Sequence, residues 1–258
     1  MRHSSLTIVA FLMGGLASAY AQSIPVMPQG TVELGTFGRF FVQTNNFEPY
    51  AEILGRFEDT TFEFRYRSLT LGSYYRALPN LKVGLFYRLQ AGARHNDDWI
   101  EMATPTGWGW RDTRSRYESV LIGDVSPRFI VDFVDRNLVF MLKNRIEYNF
   151  FNTNASLLVR PGFTYFLMSD REPLAEITLQ YAVYFALNSG DSAIYSYAPY
   201  LEVLYHVTPE LQLVGGLSYI TEKWSTSADA KIWGSGPYNV SYTAFRFQAG
   251  LIYTLPLQ

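Results

Sequence analysis

The sequence predicts an all-β fold: a closed antiparallel up-and-down transmembrane β-barrel of about ten strands. Three observations carry this. Ring and charge alternate through Phe62-Glu63-Phe64-Arg65-Tyr66-Arg67, and successive side chains of a strand point to opposite faces. The same period of two returns in residues 83–90, 142–148 and 176–181. Second, no stretch after residue 21 reaches the 18 apolar residues of a membrane helix. Yet 17% of the chain is aromatic, with 19 Tyr and 19 Phe, which suits a barrel with aromatic girdles at both interfaces. Third, long polar connections alternate with short turns.

Taken in order, the chain opens on a targeting segment. Arg2 and His3 precede an apolar run at 6–16, and Ala19-Tyr20-Ala21 has the small-x-small pattern of a signal-peptidase site. Residues 1–21 therefore read as a signal peptide cleaved before Gln22, and 22–258 as one barrel domain. The strand-like runs are approximately 31–43, 60–76, 81–95, 114–133, 138–151, 155–168, 174–187, 195–208, 210–224 and 238–255. Gly and Pro fall mostly between them. Leu78-Pro79-Asn80, residues 134–137 and Thr208-Pro209-Glu210 make short turns, and 44–59, 96–113, 188–194 and 225–237 make long loops. Both ends of the barrel domain then lie on the short-turn side. The connections at 152–154 and 169–173 fit this alternation less well. A twelve-strand barrel follows if 44–59 or 96–113 holds a hairpin.

The last run, Gln248-Ala249-Gly250-Leu251-Ile252-Tyr253-Thr254-Leu255, resembles the C-terminal insertion signal of bacterial outer-membrane proteins: polar-x-Gly-x-x-aromatic-x-hydrophobic. It departs from that pattern in carrying Pro256-Leu257-Gln258 afterwards and in lacking a terminal Phe. The resemblance implies a porin-like barrel of the Gram-negative outer membrane, surrounded by outer-membrane lipid and inserted by the barrel assembly machinery. A periplasmic β-sandwich would also alternate, with its apolar face inside. It does not account for the loop asymmetry, and closure removes the edge strands that so apolar a sheet would expose.

With the apolar parity outward, charge points into a lumen. The candidate pore-lining residues are Arg39, Glu63, Arg65, Arg67, Arg88, Arg94, Arg116, Glu118, Lys143, Arg145, Glu147, Arg160, Glu176, Glu202 and Arg246. Lys82, Gln90, Thr164, Gln180, His206 and Glu222 share their parity. A charge on the other parity at the bilayer midplane would cost roughly 2–4 kcal/mol. Bases concentrate on the second to sixth runs and Glu on the seventh to ninth. Seventeen of the 21 basic residues are Arg, the residue suited to fixed charge networks. The expected function is a narrow pore for small polar or anionic solutes. The alternative is a structural or surface-binding barrel whose charges pair across the lumen and plug it. The Arg wall is similar in kind to that of small bacterial porins that pass acidic oligosaccharides.

Catalytic patterns are not met. Asp97-Asp98-Trp99 resembles faintly the surface acidic pair and Trp of the omptin proteases. Those enzymes need a second Asp–His pair at the same rim, and of the 3 His here one leaves with residues 1–21 and His206 sits by a turn. The His and Ser spacing of the outer-membrane phospholipases is missing around His95 and His206. There is no Cys and no His pair at ligand spacing, so no cofactor or metal is expected. Asp97, Asp98, Trp99, Trp108 and Trp110 are candidates for binding in an outer loop. A formal charge of −2 argues against nucleic acid as a partner.

Overall fold

The computed structural model describes residues 31–58, 64–93, 100–104, 107–110, 115–189, 194–224 and 240–257. The proposed signal peptide lies outside them. Among the described residues there is no helix, and a closed barrel of eleven strands forms. In chain order the strands are β1 (Thr31–Gln43), β2 (Phe47–Glu58), β3 (Phe64–Leu78), β4 (Leu81–Ala91), β5 (Ile100–Thr104), β6 (Gly107–Trp110), β7 (Tyr117–Ile130), β8 (Leu138–Asn149), β9 (Ala155–Ser169), β10 (Glu172–Ala186), β11 (Ile194–His206), β12 (Leu211–Trp224) and β13 (Val240–Pro256). The wall runs β1-β2-β3-β4-β7-β8-β9-β10-β11-β12-β13 and returns to β1. β5 and β6 form a separate hairpin within the β4–β7 connection.

The expected 44–59 loop is the main correction. It holds a strand, β2, paired with β1 and β3 throughout. Pro49 and Gly55 read as loop residues, yet both sit in the outward parity, while Glu48, Tyr50, Glu52 and Arg56 keep a clean period of two. The extra strand makes the count odd, so β1 and β13 run in the same direction and the closing ladder is parallel; every other ladder is antiparallel. Thr31 consequently lies at the long-loop end, opposite the end where β13 finishes. The expectation of both ends on the short-turn side does not hold for β1. The 96–113 segment does hold a hairpin, which stays out of the wall. The 169–173 connection tightens to a two-residue turn, with Asp170 (φ 52°) and Arg171 (φ 72°) both left-handed, the geometry that matches strand twist in a hairpin.

One register shift matters for function. Arg56 pairs with Tyr66 but Phe57 pairs with Phe64, so Arg65 is the extra residue of a bulge. A bulge reverses the facing of the residues after it. From Tyr66 onward the ring parity points into the lumen and Arg67 points out. Gly92 makes room for this bulge. Its φ is +79°, and a Cβ there would collide with the Arg65 carbonyl oxygen, so only glycine fits.

Large apolar side chains crowd the outer face of the barrel. Ile53, Leu85 and Leu179 of the outward parity are 68%, 63% and 61% exposed. The inward parity carries the buried carboxylates Glu33, Glu118 and Asp124. Apolar packing inside is local. Phe37, Leu204, Val214 and Ile252 cluster with Phe41 and Leu54, and Gly250 leaves space for the Phe37 ring, which a Cβ would meet at 2.6 Å. A second cluster joins Phe86, Val120 and Ile122 to Tyr50 and Tyr74.

Candidate functional site

The site is the lumen itself. A cavity of about 590 Å³ has a lining that extends from Glu48, Lys82 and Arg128, beside the short turns, to Arg65, Ala93 and Glu222, beside the long loops. Spread along strands of this length, that volume is a narrow thread. Ten basic and six acidic residues line it. The chain as a whole carries a formal −2, so positive charge is concentrated here.

Alternation places each of these groups, and cross-strand register pairs them. Arg39 of β1 stands opposite Glu52 of β2, and its Nε donates to Glu52 Oε2 at 2.7 Å. Glu33 of β1 stands beside Arg246 of β13 across the parallel seam and accepts from its Nε at 2.6 Å, with Arg56 Nε at 3.8 Å on the other side. Two adjacent barrel edges thus meet in one ion cluster that spans the closing ladder. Toward the turns, Glu48 holds Lys82 at 2.6 Å and Arg76 at 3.0 Å.

The densest charge is on β4, β7 and β8. Arg88 reaches over the intervening strand and donates both terminal nitrogens to Glu147, at 3.1 and 3.2 Å. Such a two-point pair fixes the guanidinium plane. Asp124 of β7, with no exposed side-chain surface, accepts from Arg145 Nε at 3.2 Å and faces Lys143 Nζ at 3.4 Å. The Ser126 hydroxyl also donates to it. One buried inward carboxylate therefore serves two cations, and Arg145 also approaches Glu147 at 3.7 Å.

Arg160 differs from its neighbours. Lys143 pairs with it in register, so two cations stand side by side. Its Nε is buried without a hydrogen-bond partner, and no carboxylate among the described residues lies within 4.0 Å of its guanidinium. Gln180 Oε1, on the next strand, is likewise unbonded. Across from this basic wall, Glu202 accepts from the Tyr200 hydroxyl at 2.8 Å.

The lumen is not charged throughout. Tyr50, Tyr74 and Phe86 meet edge to face, with centroids 4.7–6.2 Å apart, and Phe41 joins at 4.9 Å. These rings narrow the cavity on the side of the short turns.

Of the sequence-predicted lining residues, Arg39, Arg65, Arg88, Lys143, Arg145, Glu147, Arg160, Glu202 and Arg246 share this one cavity. Arg116 and Glu118 form a network near the loops: Glu118 accepts from Arg116 at 2.8 Å, Asn149 at 2.8 Å and Gln90 at 3.3 Å. Glu176 lies near the turns, 3.1 Å from His206 Nε2. Arg67 is misassigned, since the bulge at Arg65 turns it outward. Glu63, Arg94, Asp97, Asp98 and Trp99 fall outside the described residues. Trp108 and Trp110 pair with Met102 and Ile100 in the backbone of the β5–β6 hairpin. Sequence reasoning missed Glu48, Glu52 and Arg56 because it read their strand as a loop. It also passed over Asp124, although the parity of Glu118 carried forward reaches it. The inward aromatics Tyr50, Tyr74 and Phe86 had no signal that separates them from outward rings. No group of three or more potential metal-ligating side chains occurs among the described residues.

No family model matches this chain, and no curated protein matches it.

Proposed function

We propose that this protein is an outer-membrane β-barrel that passes small polar solutes, preferentially anions, through its lumen. The observation that carries this is the cavity whose lining extends from the short-turn end to the long-loop end with ten basic against six acidic residues. The exposed apolar outer parity supports the membrane setting, because water-soluble proteins seldom expose contiguous apolar surface of this extent. A closed wall satisfies the backbone, with no edge left to lipid. Within the lumen a solute exchanges part of its hydration for Arg and Lys side chains held by their counter-ions. Arg160, with no carboxylate among the described residues within 4.0 Å, offers an anion a positive charge that no ion pair contests. Ion pairs such as Arg39–Glu52 keep the remaining charge in place, and the rings of Tyr50, Tyr74 and Phe86 restrict what fits. On this reading the chain carries no catalytic site and needs no cofactor. Outer-membrane lipid surrounds it, and the barrel assembly machinery inserts it.

The apolar filling around Phe37 and Ile252 favours a second reading, a structural barrel whose lumen is closed. Proteoliposome swelling distinguishes the two. Refolded protein is expected to admit a small organic anion such as gluconate faster than a neutral sugar of the same size. Equal rates would remove the anion preference, and no swelling with either solute would leave the closed barrel.

A further inference from the structure

Arg67 stands on the wrong face for a lumen residue, and its surroundings assign it a different task. On the outward parity of the described strand residues between the two barrel ends, charge is confined to Arg67 and Lys223, both close to the long loops. Arg67 Nη2 donates to the Tyr117 hydroxyl at 3.0 Å, and its guanidinium lies 5.3 Å from the centroid of that ring. No carboxylate among the described residues is within 4.0 Å of it. Near the end of an apolar wall such a guanidinium is tolerated, and it offers an anion an unneutralised charge.

Directly beside it the outer wall is indented. A groove of about 630 Å³ crosses β1 to β4, with Arg67 and Tyr117 in its lining. Its floor is open because Gly38 and Gly55 carry no side chain, and Ile53, Leu69 and Leu89 form apolar walls. A Cβ on Gly38 would meet nothing within 4 Å. The groove therefore combines an apolar channel with one unneutralised cation at the loop end. That is the complement of an amphiphile with an anionic head and an extended hydrocarbon chain.

We propose that this groove is a binding site for one anionic membrane lipid, with an acyl chain lying over Gly38 and Gly55 and the headgroup phosphate held by Arg67. The site rests on the lipid-facing reading of the outer wall and is independent of whether the lumen conducts. Tyr117 holds the guanidinium at the groove mouth through its hydroxyl and its ring.

Native mass spectrometry of the barrel, released from a non-ionic detergent after mixing with defined lipids, tests it. Phosphatidylglycerol is expected to be retained as a single adduct at least tenfold more than phosphatidylcholine. Arg67→Gln should reduce that retention at least tenfold. Gly38→Leu should do the same by filling the groove, while Gly215→Leu, also outward with open space around its Cβ, should leave it unchanged. Equal retention of the two lipids by the wild type, or full retention by Arg67→Gln, would overturn the site. Equal loss in Gly215→Leu would show that the effect belongs to the outer face in general and would overturn it as well. A folded barrel that retains no phosphatidylglycerol removes this site alone. A chain that stays soluble without detergent removes the membrane reading itself.

Discussion

Asp124→Asn is expected to cost the barrel about 3 kcal/mol, the scale of removing one partner from a buried ion pair. Asp124 has no exposed side-chain surface and compensates both Lys143 and Arg145. Asparagine keeps the shape and the Ser126 contact but removes the charge. Two cations are then left side by side, and among the described residues Glu147 is the remaining carboxylate within 4.0 Å of Arg145. Their side chains are 22% and 20% exposed to the lumen, so water tempers the penalty without abolishing it. The measurement is urea unfolding of the detergent-refolded protein, followed by heat-modifiable gel migration. The midpoint should fall with the slope unchanged. Adding Lys143→Met to Asp124→Asn removes one orphaned cation and should recover about half the loss. An unchanged midpoint in the single variant would mean that this cluster does not hold the wall.

The second large effect is on selectivity. Arg65→Glu combined with Arg160→Glu turns the cavity lining from ten basic against six acidic residues into an even balance. A unit charge about 8 Å from a permeating ion is worth roughly 2 kcal/mol at an effective dielectric of about 20. Exchanging two of them should lower the anion-to-cation permeability ratio at least about tenfold in dilute salt, and less at high salt, where screening shortens the reach of each charge. Arg160 suits the exchange because no ion pair among the described residues depends on it. Retained anion preference in the double variant would mean that other groups set selectivity.

The fold was largely legible because a barrel writes its two faces in alternate residues. Lys143, Arg145 and Glu147 against Leu142, Asn144 and Ile146 is such a record, and all three line the cavity. Two local departures were not legible. β2 carries Pro49 and Gly55, residues that punctuate loops, but on outward positions of a paired strand. Its inward Glu48, Glu52 and Arg56 repeat at the strand period, and that was the available signal. Missing this strand also hid the parallel seam, since an even count closes antiparallel and an odd count does not. The bulge at Arg65 is the other departure. Ring and charge alternate without a break through Phe62 to Arg67, so nothing in that run marks an extra residue. The clue lies elsewhere, in Gly92, whose missing side chain admits the displaced Arg65 carbonyl. The site followed the same logic. Arg39, Arg88, Lys143, Arg145 and Arg160 follow the parity written in the sequence and line the cavity. The carboxylate that anchors them, Asp124, follows two inward apolar residues of its strand, Val120 and Ile122, which interrupt the charged parity after Glu118.

The central claim is that the charged parity lines a path and the apolar parity faces lipid. The reversal potential of the refolded wild-type barrel in a planar bilayer under a salt gradient tests it most directly. A small, steady conductance with a reversal potential on the anion side is the predicted result. A bilayer that stays silent with correctly folded protein, or a reversal potential on the cation side, would contradict it.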